Sequence, residues 1–227
     1  MDNTKLHTKN SIQESLDNDL KEYVHFLKLD AKKQERILST AYNEFLEKGY
    51  AQASTNTIIQ RAGISKGLLF YYFGSKAGLY KFLMKESTRR IASETLPDLP
   101  DENADVFALI KSIVRTKITV CLRYPKETNF IISAWNTKLP ENLVLELNKM
   151  VDMSGNYVDI LIGLLDDNLL REQVDKGIAT EIISWVCEKY TDKMLSGDLL
   201  TTKIKDWDGI AEDLDKYLDA LRYGLYK

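Results

Sequence analysis

The chain has 227 residues, of which 44% are hydrophobic and 29% are charged, and its formal net charge is −3 at pH 7. This composition excludes an intrinsically disordered chain and predicts a globular protein long enough for two modules. The sequence contains no run of eighteen apolar residues and begins without the apolar core of a secretory signal, so we expect a cytoplasmic protein.

Residues 1–30 are predicted to form a helical extension. Asp30 is suited to cap the next helix, and ahead of it one helical stripe carries apolar residues: Leu16, Leu20, Tyr23, Val24 and Leu27. The stripe can pack on the domain that follows or on a partner subunit, and packing on its own chain is the simpler alternative. His25 lies near the stripe, where a lone histidine is more typical of a structural residue than of a catalyst or ligand.

The next helix has apolar residues at steps of three and four, which predicts a core face: Ile37, Ala41, Phe45 and Leu46. A shorter helical pattern follows and places three apolar residues on one face: Ile58, Ile59 and Ala62. Gly63 stands where a helix that ends in the left-handed region favours a residue without a side chain. The shorter helix is therefore predicted to end at Ala62.

A brief helix is predicted after this glycine turn. The Ser65 hydroxyl is suited to cap it, and Leu69 with Phe73 forms an i, i+4 apolar pair that can seat it on a core. Gly74 ends it, and Ser75 is suited to cap a longer helix that follows. Two short helices around a tight turn present one helix to the major groove of DNA, so we predict a DNA-contacting helix-turn-helix.

The face of the brief helix that remains exposed is predicted to carry small, aromatic and cationic groups: Lys66, Gly67, Leu68, Phe70, Tyr71 and Tyr72. Lysine neutralises a phosphate, tyrosine hydroxyls bond to phosphate oxygens, apolar carbons meet a thymine methyl, and glycine allows close backbone approach. The alternative is an aromatic-rich helix that serves only a core.

Charge is unevenly distributed along the chain. Residues 31–95 carry eleven Lys and Arg against five Asp and Glu, a net charge of +6, whereas residues 1–30 carry −2 and residues 96–227 carry −7. A basic segment within an acidic chain indicates an electrostatic surface for a polyanion. A solvated face without a partner is the alternative explanation of an excess of this size.

The chain contains Gly49-Tyr50, the segment Ser54–Ile58, the run AGISKGLLFYYF from Ala62 to Phe73, and Lys76. On these residues, the region from residue 31 to about 91 resembles the DNA-binding domain of the TetR/AcrR (tetracycline-repressor) family. The chain departs from the usual family residues alanine, threonine, tyrosine and histidine at four positions: Ile59, Leu68, Phe70 and Tyr72.

This resemblance implies roles for individual residues. It implies that backbone phosphates of DNA are held by Ser54, Thr55, Tyr72 and Lys76. It implies that the groove is contacted by Asn56, Lys66, Gly67, Leu68, Phe70 and Tyr71.

After a predicted link at residues 96–100, the sequence shows helical periodicity without strand-like alternation. One apolar helix face over 106–118 is ended by Pro125, and a short second one over 130–135 precedes Pro140. Further helices are predicted over about 141–170, 177–195 and 206–223. The chain is therefore predicted to be all-α. Its predicted divisions are the extension (1–30), a three-helix head with the helix-turn-helix (31–91) and a C-terminal helical domain (97–227).

For residues 97–227 the resemblance implies a small-molecule pocket and a homodimer formed through the last two helices. Aromatic and thioether side chains suited to an apolar guest are candidates for the pocket walls: Tyr124, Trp135, Met150, Met153, Tyr157 and Trp185. Plain core packing is the simpler alternative for each of them. Cationic residues are not concentrated in the central helices, which favours a neutral or apolar effector.

Together these features predict a ligand-responsive transcriptional repressor that binds a palindromic operator as a dimer, with activation in place of repression left open. An enzyme is poorly supported, because the chain has two histidines and no metal-spaced cluster, phosphate loop or nucleophile elbow. We therefore predict no catalytic residues, no metal and no cofactor. A helical assembly protein that has lost DNA binding is the other alternative. Cys121 and Cys187 are predicted to be buried reduced thiols, with a redox-sensing pair as the alternative.

Overall fold

The structure is a computed structural model and describes residues 7–95, 105–195 and 207–227. Within these ranges the chain is helical, and its extended pairing is a single bridge between Leu170 and Tyr226, which confirms the all-α class. The helices in chain order are α1 (His7–Asp19), α2 (Val24–Leu27), α3 (Ala31–Gln52), α4 (Thr55–Ala62), α5 (Lys66–Phe73), α6 (Lys76–Thr95), α7 (Val106–Arg123), α8 (Pro125–Asn136), α9 (Glu141–Gly163), α10 (Lys176–Leu195) and α11 (Trp207–Leu225). The predicted link at residues 96–100 lies outside the described residues.

The chain divides into two compact units. The first comprises residues 10–93 and 121–150, and the other described residues form the second. It therefore combines the extension and the head with α8 and the first part of α9. The division into domains predicted from the sequence stays a prediction, because these units are defined by packing and not by independent folding.

The core of the first unit is rich in aromatic side chains, and its fully buried members include Phe26, Phe45 and Phe82. Helix α3 supplies the predicted apolar face and begins where the Asp30 carboxylate accepts a hydrogen bond from the Lys33 backbone N–H at 3.0 Å. Gly49, at φ 68°, interrupts α3 with a conformation that favours glycine. The chain can therefore turn toward α4 at this point.

The extension packs on the head within the first unit. Tyr23 and Phe26 lie against Phe82 with ring centroids 4.8 and 5.0 Å apart. The predicted single stripe is wrong in part, because a 3-10 turn at Lys21–Tyr23 separates α1 from α2 and changes the helical phase. Val24 and Leu27 are consequently 41% and 40% exposed, and Phe26 occupies the core in their place.

An ion-pair network also joins the extension to the head. The Lys85 side chain is only 6% exposed, and its Nζ lies 3.0 Å from Glu22 Oε1 and 3.4 Å from Glu146 Oε1. Lys81 Nζ adds a contact of 3.4 Å to the same Glu22 oxygen. Because a buried ammonium is costly without partners, these carboxylates are what allow Lys85 to be buried.

This network predicts a pH dependence of stability. Burial raises the pKa of Glu22, but the hydrogen bond and charge of Lys85 and the charge of Lys81 outweigh it, so the net pKa lies below the ordinary 4.5. A lowered folded-state pKa contributes stability that is present above 4.5 and is lost as the pH falls through the folded value. Urea unfolding across this range should show a smaller loss of stability on acidification for Glu22→Gln than for the wild type. An identical pH profile for the two proteins would contradict the assignment.

The second unit has its own core, in which α7, α10 and α11 bring together Val106, Phe107, Ile183 and Leu218. Ion pairs from Lys111 to Asp219 and from Arg115 to Asp215 join α7 to α11 along the surface. The helices predicted in this region are all present, with ends shifted by a few residues. Of the two cysteines, Cys121 is buried, and burial raises the pKa of the partly buried Cys187 to about 11.

One predicted helix is too long. Residues 141–170 were expected to be one helix, whereas α9 ends at Gly163. Beyond it the Asp166 carboxylate caps a 3-10 turn at Asp167–Leu169, and the backbone of Leu170 pairs with that of Tyr226. Pairing with the end of the chain requires an extended backbone, which local periodicity does not predict.

Candidate nucleic-acid interface

The caps predicted at Gly63, Ser65, Gly74 and Ser75 are present, and Ser54 caps α4 in addition. The Ser54 hydroxyl accepts a hydrogen bond from the Thr57 N–H at 3.4 Å, and that of Ser65 accepts one from the Leu68 N–H at 3.2 Å. Gly63 ends α4 in the left-handed conformation with φ 61°. The capped turn fixes α5 relative to α4, which is the geometry that a groove-binding helix requires.

Two side chains of α3 hold the ends of α4. Glu44 is 3% exposed, its Oε1 accepts a hydrogen bond from the Ser54 N–H at 2.9 Å, and its Oε2 lies 3.9 Å from Arg61 Nη1. At the other end, Arg36 Nε donates to the Ala62 carbonyl at 2.8 Å. The carboxylate thus lies at the positive end of α4 and the guanidinium at its negative end, which favours both contacts.

Neither α3 residue was identified from the sequence as part of the site. Glu44 follows Ala41 by three residues and precedes Phe45, so it lies on the apolar face of the helix. A charged residue on a buried face normally has a partner, so a glutamate on the apolar face of α3 could have indicated a role for Glu44.

Replacing Glu44 with alanine is expected to lower the free energy of unfolding by about 1 to 3 kcal/mol, because the part-buried Ser54 N–H loses its acceptor. Urea denaturation measures the loss. Glu47→Ala is the matched control, since Glu47 is exposed on the same helix, and it should change stability by less than about 0.5 kcal/mol. Equal effects of the two substitutions would contradict a specific role of Glu44.

The predicted exposed row on α5 is exposed only in part. Lys66, Gly67 and Tyr71 are exposed, and the Tyr71 side chain is 59% exposed. Leu68 and Phe70 are half-buried. On α4 and just before it, Asn56 is exposed, whereas Ser54 and Thr55 are half-buried. The groove and phosphate roles of these residues stay predictions.

The expectation that Tyr72 is exposed is wrong, because this residue is only 8% exposed. The Phe26 ring of the extension packs against it at a centroid distance of 5.9 Å, and the Phe73 ring lies 6.2 Å away. Sequence periodicity could not identify this burial, since the covering ring comes from a segment 46 residues earlier. A phosphate contact by Tyr72 stays a prediction and would have to use its hydroxyl.

Lys76 lies at the end of α3 rather than extending freely into solvent. Its Nζ donates a hydrogen bond to the Ala51 carbonyl at 3.1 Å and lies 4.9 Å from the centroid of the Tyr50 ring. Partial burial lowers the pKa of Lys76, and the charge of Glu44 opposes that shift. The ammonium is thus held at a defined position beside the start of the helix-turn-helix.

The structure describes the side chains of four of the six predicted pocket residues. Tyr124, Trp135 and Met150 are half-buried in the first unit, while the side chains of Met153 and Tyr157 lie outside the described residues. Trp185 is 62% exposed. Ile183, two positions earlier, takes the core side of α10 and leaves Trp185 on the solvent side of the single chain. The assignment of these residues to a pocket stays a prediction.

A cavity of ≈ 590 Å³ lies in the first unit between the extension and helices α3 and α6. Its lining includes Leu20, Leu38, Phe82, Arg89 and Arg90, and none of the six predicted pocket residues. Within the part of the chain that the structure describes, no cluster of His, Cys, Asp or Glu is placed to hold a metal ion. No helix in the described ranges is long and apolar enough to span a membrane.

Comparison with known proteins identifies relatives of this architecture. The model of the family "Bacterial regulatory proteins, tetR family" matches residues 37–82. The HTH-type transcriptional regulator RutR of Escherichia coli O157:H7 is 30% identical over 125 residues, which cover 53% of this chain and 57% of RutR. The chain thus matches a little over half the length of that curated relative.

Solved structures of similar fold cover more of the chain. NalD of Pseudomonas aeruginosa, described as the secondary repressor of the MexAB-OprM multidrug efflux pump, superposes with a TM-score of 0.60 at 20% identity, over 87% of this chain and 99% of its own. FadR of Bacillus subtilis, solved in complex with stearoyl-CoA, has a TM-score of 0.55 at 17% identity, over 81% and 96% of the two chains. At these identities the likeness shows the fold alone.

Proposed function

We propose that the chain, as a member of the TetR family of bacterial regulatory proteins, is a dimeric, ligand-responsive repressor. Members of this family are DNA-binding transcriptional regulators and not enzymes. It would bind a palindromic operator in the cytoplasm and be released by a small, apolar effector. The observation that carries this proposal is the capped helix-turn-helix with Lys66, Gly67 and Tyr71 exposed on α5.

Roles on this surface are divided between base recognition and phosphate binding. The exposed Tyr71 ring can reach base edges and thymine methyl groups, whereas Lys76, beside the start of the motif, can neutralise a phosphate. Asn56, Lys66, Gly67, Leu68 and Phe70 complete the proposed groove contacts. Ser54, Thr55 and the Tyr72 hydroxyl complete the proposed phosphate contacts.

Dimerisation is proposed through α10 and α11. Each helix has large hydrophobic side chains exposed to solvent: Ile178, Trp185, Tyr217 and Tyr223. On α10, Ile178 and Trp185 are seven residues apart, which places them on one face. Apolar faces of this kind are energetically unfavourable in water, and two copies of the helix pair can bury them in a four-helix bundle.

The symmetric dimer would read a palindrome. Two copies of α5 about one helical turn apart, roughly 34 to 36 Å, can enter successive major grooves on one face of DNA. An effector would release the operator by binding more tightly to a conformer in which this spacing is wrong. A protein of this fold, FadR of Bacillus subtilis, was solved with stearoyl-CoA, a ligand with a long acyl chain, which supports an effector with an apolar part.

The proposal is tested by measuring binding to the DNA upstream of the protein's own gene. Fluorescence anisotropy at several salt concentrations should show sequence-dependent binding that weakens as salt increases. Reporter expression should rise when the gene is deleted, whereas a fall would indicate an activator. An assembly protein without DNA binding would show no sequence-dependent affinity.

Substitutions at Tyr71 and Lys76 should separate the two kinds of contact. Tyr71→Ala is expected to reduce discrimination against single base-pair changes by about 1 to 3 kcal/mol, because a groove contact is lost. Lys76→Ala is expected to weaken all DNA sequences alike and to reduce the slope of log K against log salt by about 0.9. Anisotropy titrations on matched and mismatched operators measure both quantities, and equal effects of the two substitutions would contradict these roles.

A further inference from the structure

The N-terminal extension reaches the proposed DNA-binding surface. Its short helix α2 is held against α5 and α6 by Phe26, which is fully buried and whose ring lies 4.9 Å from that of Phe73. Tyr23 adds ring contacts with Phe73 and Phe82 and a hydrogen bond of 3.4 Å from its hydroxyl to the Gly78 carbonyl. These contacts of Phe26 and of the adjacent Tyr23 leave α2 little freedom to rotate on the head.

This placement brings His25 against Tyr71. The two rings lie 4.9 Å apart at an interplanar angle of 40°, and both side chains remain accessible to solvent. The Tyr71 ring also lies 5.6 Å from that of Tyr72, which in turn lies 5.9 Å from the Phe26 ring. The extension therefore contacts the exposed Tyr71 ring directly through His25, and through Phe26 it packs against Tyr72, the other neighbour of Tyr71.

We infer that His25 is a specificity-determining positioning residue, which acts by ring contact on Tyr71 of the recognition helix; this inference rests on the proposed DNA-binding function. An exposed tyrosine on a helix surface samples more than one rotamer. The two neighbouring rings of His25 and Tyr72 restrict that sampling before DNA arrives. Binding then loses less side-chain entropy, and the ring meets the base pairs in one orientation.

The chemistry of the pair allows the positioning role to be separated from a charge role. Phenylalanine at position 25 keeps an aromatic ring against Tyr71 but cannot carry a proton, whereas alanine removes both. A positioning residue should therefore be replaceable by phenylalanine and not by alanine. If His25 instead acts by contacting a phosphate, neither phenylalanine nor alanine should preserve its effect on binding.

The experiment compares five forms of the full chain on an operator obtained by selection from random DNA and on single base-pair variants of it: wild type, His25→Ala, His25→Phe, Tyr71→Ala and the double variant His25→Ala/Tyr71→Ala. His25→Ala should bind the operator about 2- to 10-fold more weakly and should discriminate less between base pairs. His25→Phe should restore both properties, with the salt slope unchanged. In the Tyr71→Ala background, His25→Ala should have no further effect.

The chain offers a matched control in His7, its other histidine, and His7→Ala should bind as the wild type does. The ring contact is checked without DNA by nuclear magnetic resonance. Two histidines give two sets of imidazole signals, and His7→Ala assigns them. Tyr71→Ala should then shift the His25 signals, because the ring current of Tyr71 is removed.

The outcomes distinguish this inference from the proposed function. Sequence-dependent binding by the wild type, together with additive effects in the double variant, would overturn the inference alone. The inference alone is also overturned if His25→Phe binds the operator as weakly as His25→Ala and both substitutions lower the salt slope. His25 would then contact a phosphate. If the wild type shows no sequence dependence at all, the proposed function fails and the inference fails with it. Unchanged His25 signals in Tyr71→Ala would exclude the ring contact itself.

Discussion

Replacing Trp185 with glutamate is expected to yield a monomer whose affinity for the operator is lower by a factor on the order of 10³. Trp185 is 62% exposed on α10, where we propose that it is buried between two subunits. A carboxylate buried there without a partner would oppose association strongly. A monomer contacts a single half-site, so its binding falls toward the non-specific level, which is typically at least 10³-fold weaker.

Sedimentation equilibrium gives the mass, and fluorescence anisotropy on the same samples gives the affinity. Leu145→Glu is the matched control, because Leu145 is 57% exposed on α9 and lies outside the proposed dimer face. The control protein should remain dimeric and should bind the operator normally. A Trp185→Glu protein that stays dimeric, or a control that dissociates equally, would contradict the proposed interface. Tyr217→Glu on α11 should reproduce the Trp185→Glu result.

Replacing Phe26 with alanine is expected to lower the free energy of unfolding by about 3 to 5 kcal/mol, the range found when a buried aromatic ring is removed. Phe26 is fully buried and contacts the rings of Tyr72, Phe73 and Phe82, so its loss would leave a cavity beneath the extension. The same substitution should expose Tyr72 to solvent and release α2 from the recognition helix.

Chemical denaturation measures the loss of stability, and Leu27→Ala is the matched control. Leu27 lies next to Phe26 on α2 and is 40% exposed, so its truncation should cost well under 2 kcal/mol, a side chain of this kind being only partly removed from water. Similar losses for both substitutions would show that the extension is not anchored by Phe26. Hydrogen exchange of the α2 amides gives an independent check, since they should exchange faster in Phe26→Ala.

The helix-turn-helix could be predicted from the sequence because its signals are local. Ser54, Ser65 and Ser75 each cap the helix that begins immediately after them, and Gly63 and Gly74 end helices with positive φ angles. A cap depends on residues within about four positions. The charge of residues 31–95 and the order of the helices were likewise available from the sequence.

The side chains that complete the site could not be predicted in this way. Glu44 binds the start of α4, Phe26 covers Tyr72, and His25 contacts Tyr71, and in each case the partners are 10 to 46 residues apart along the chain. Periodicity identifies which residues share a face but not which distant segment covers it. For the same reason, Tyr72 was expected to be exposed and Trp185 to be buried.

The all-α class, the helix-turn-helix and the resemblance to the TetR family can thus be read from the amino-acid sequence, because helix caps, apolar periodicity and the AGISKGLLFYYF run are properties of neighbouring residues. Which helix faces are covered became known from the packing of the folded chain. This packing placed the extension on the recognition helix, buried Tyr72 and left Trp185 in solvent. The physical reason is that a side chain is buried by whichever surface packs against it, and that surface comes from elsewhere in the chain.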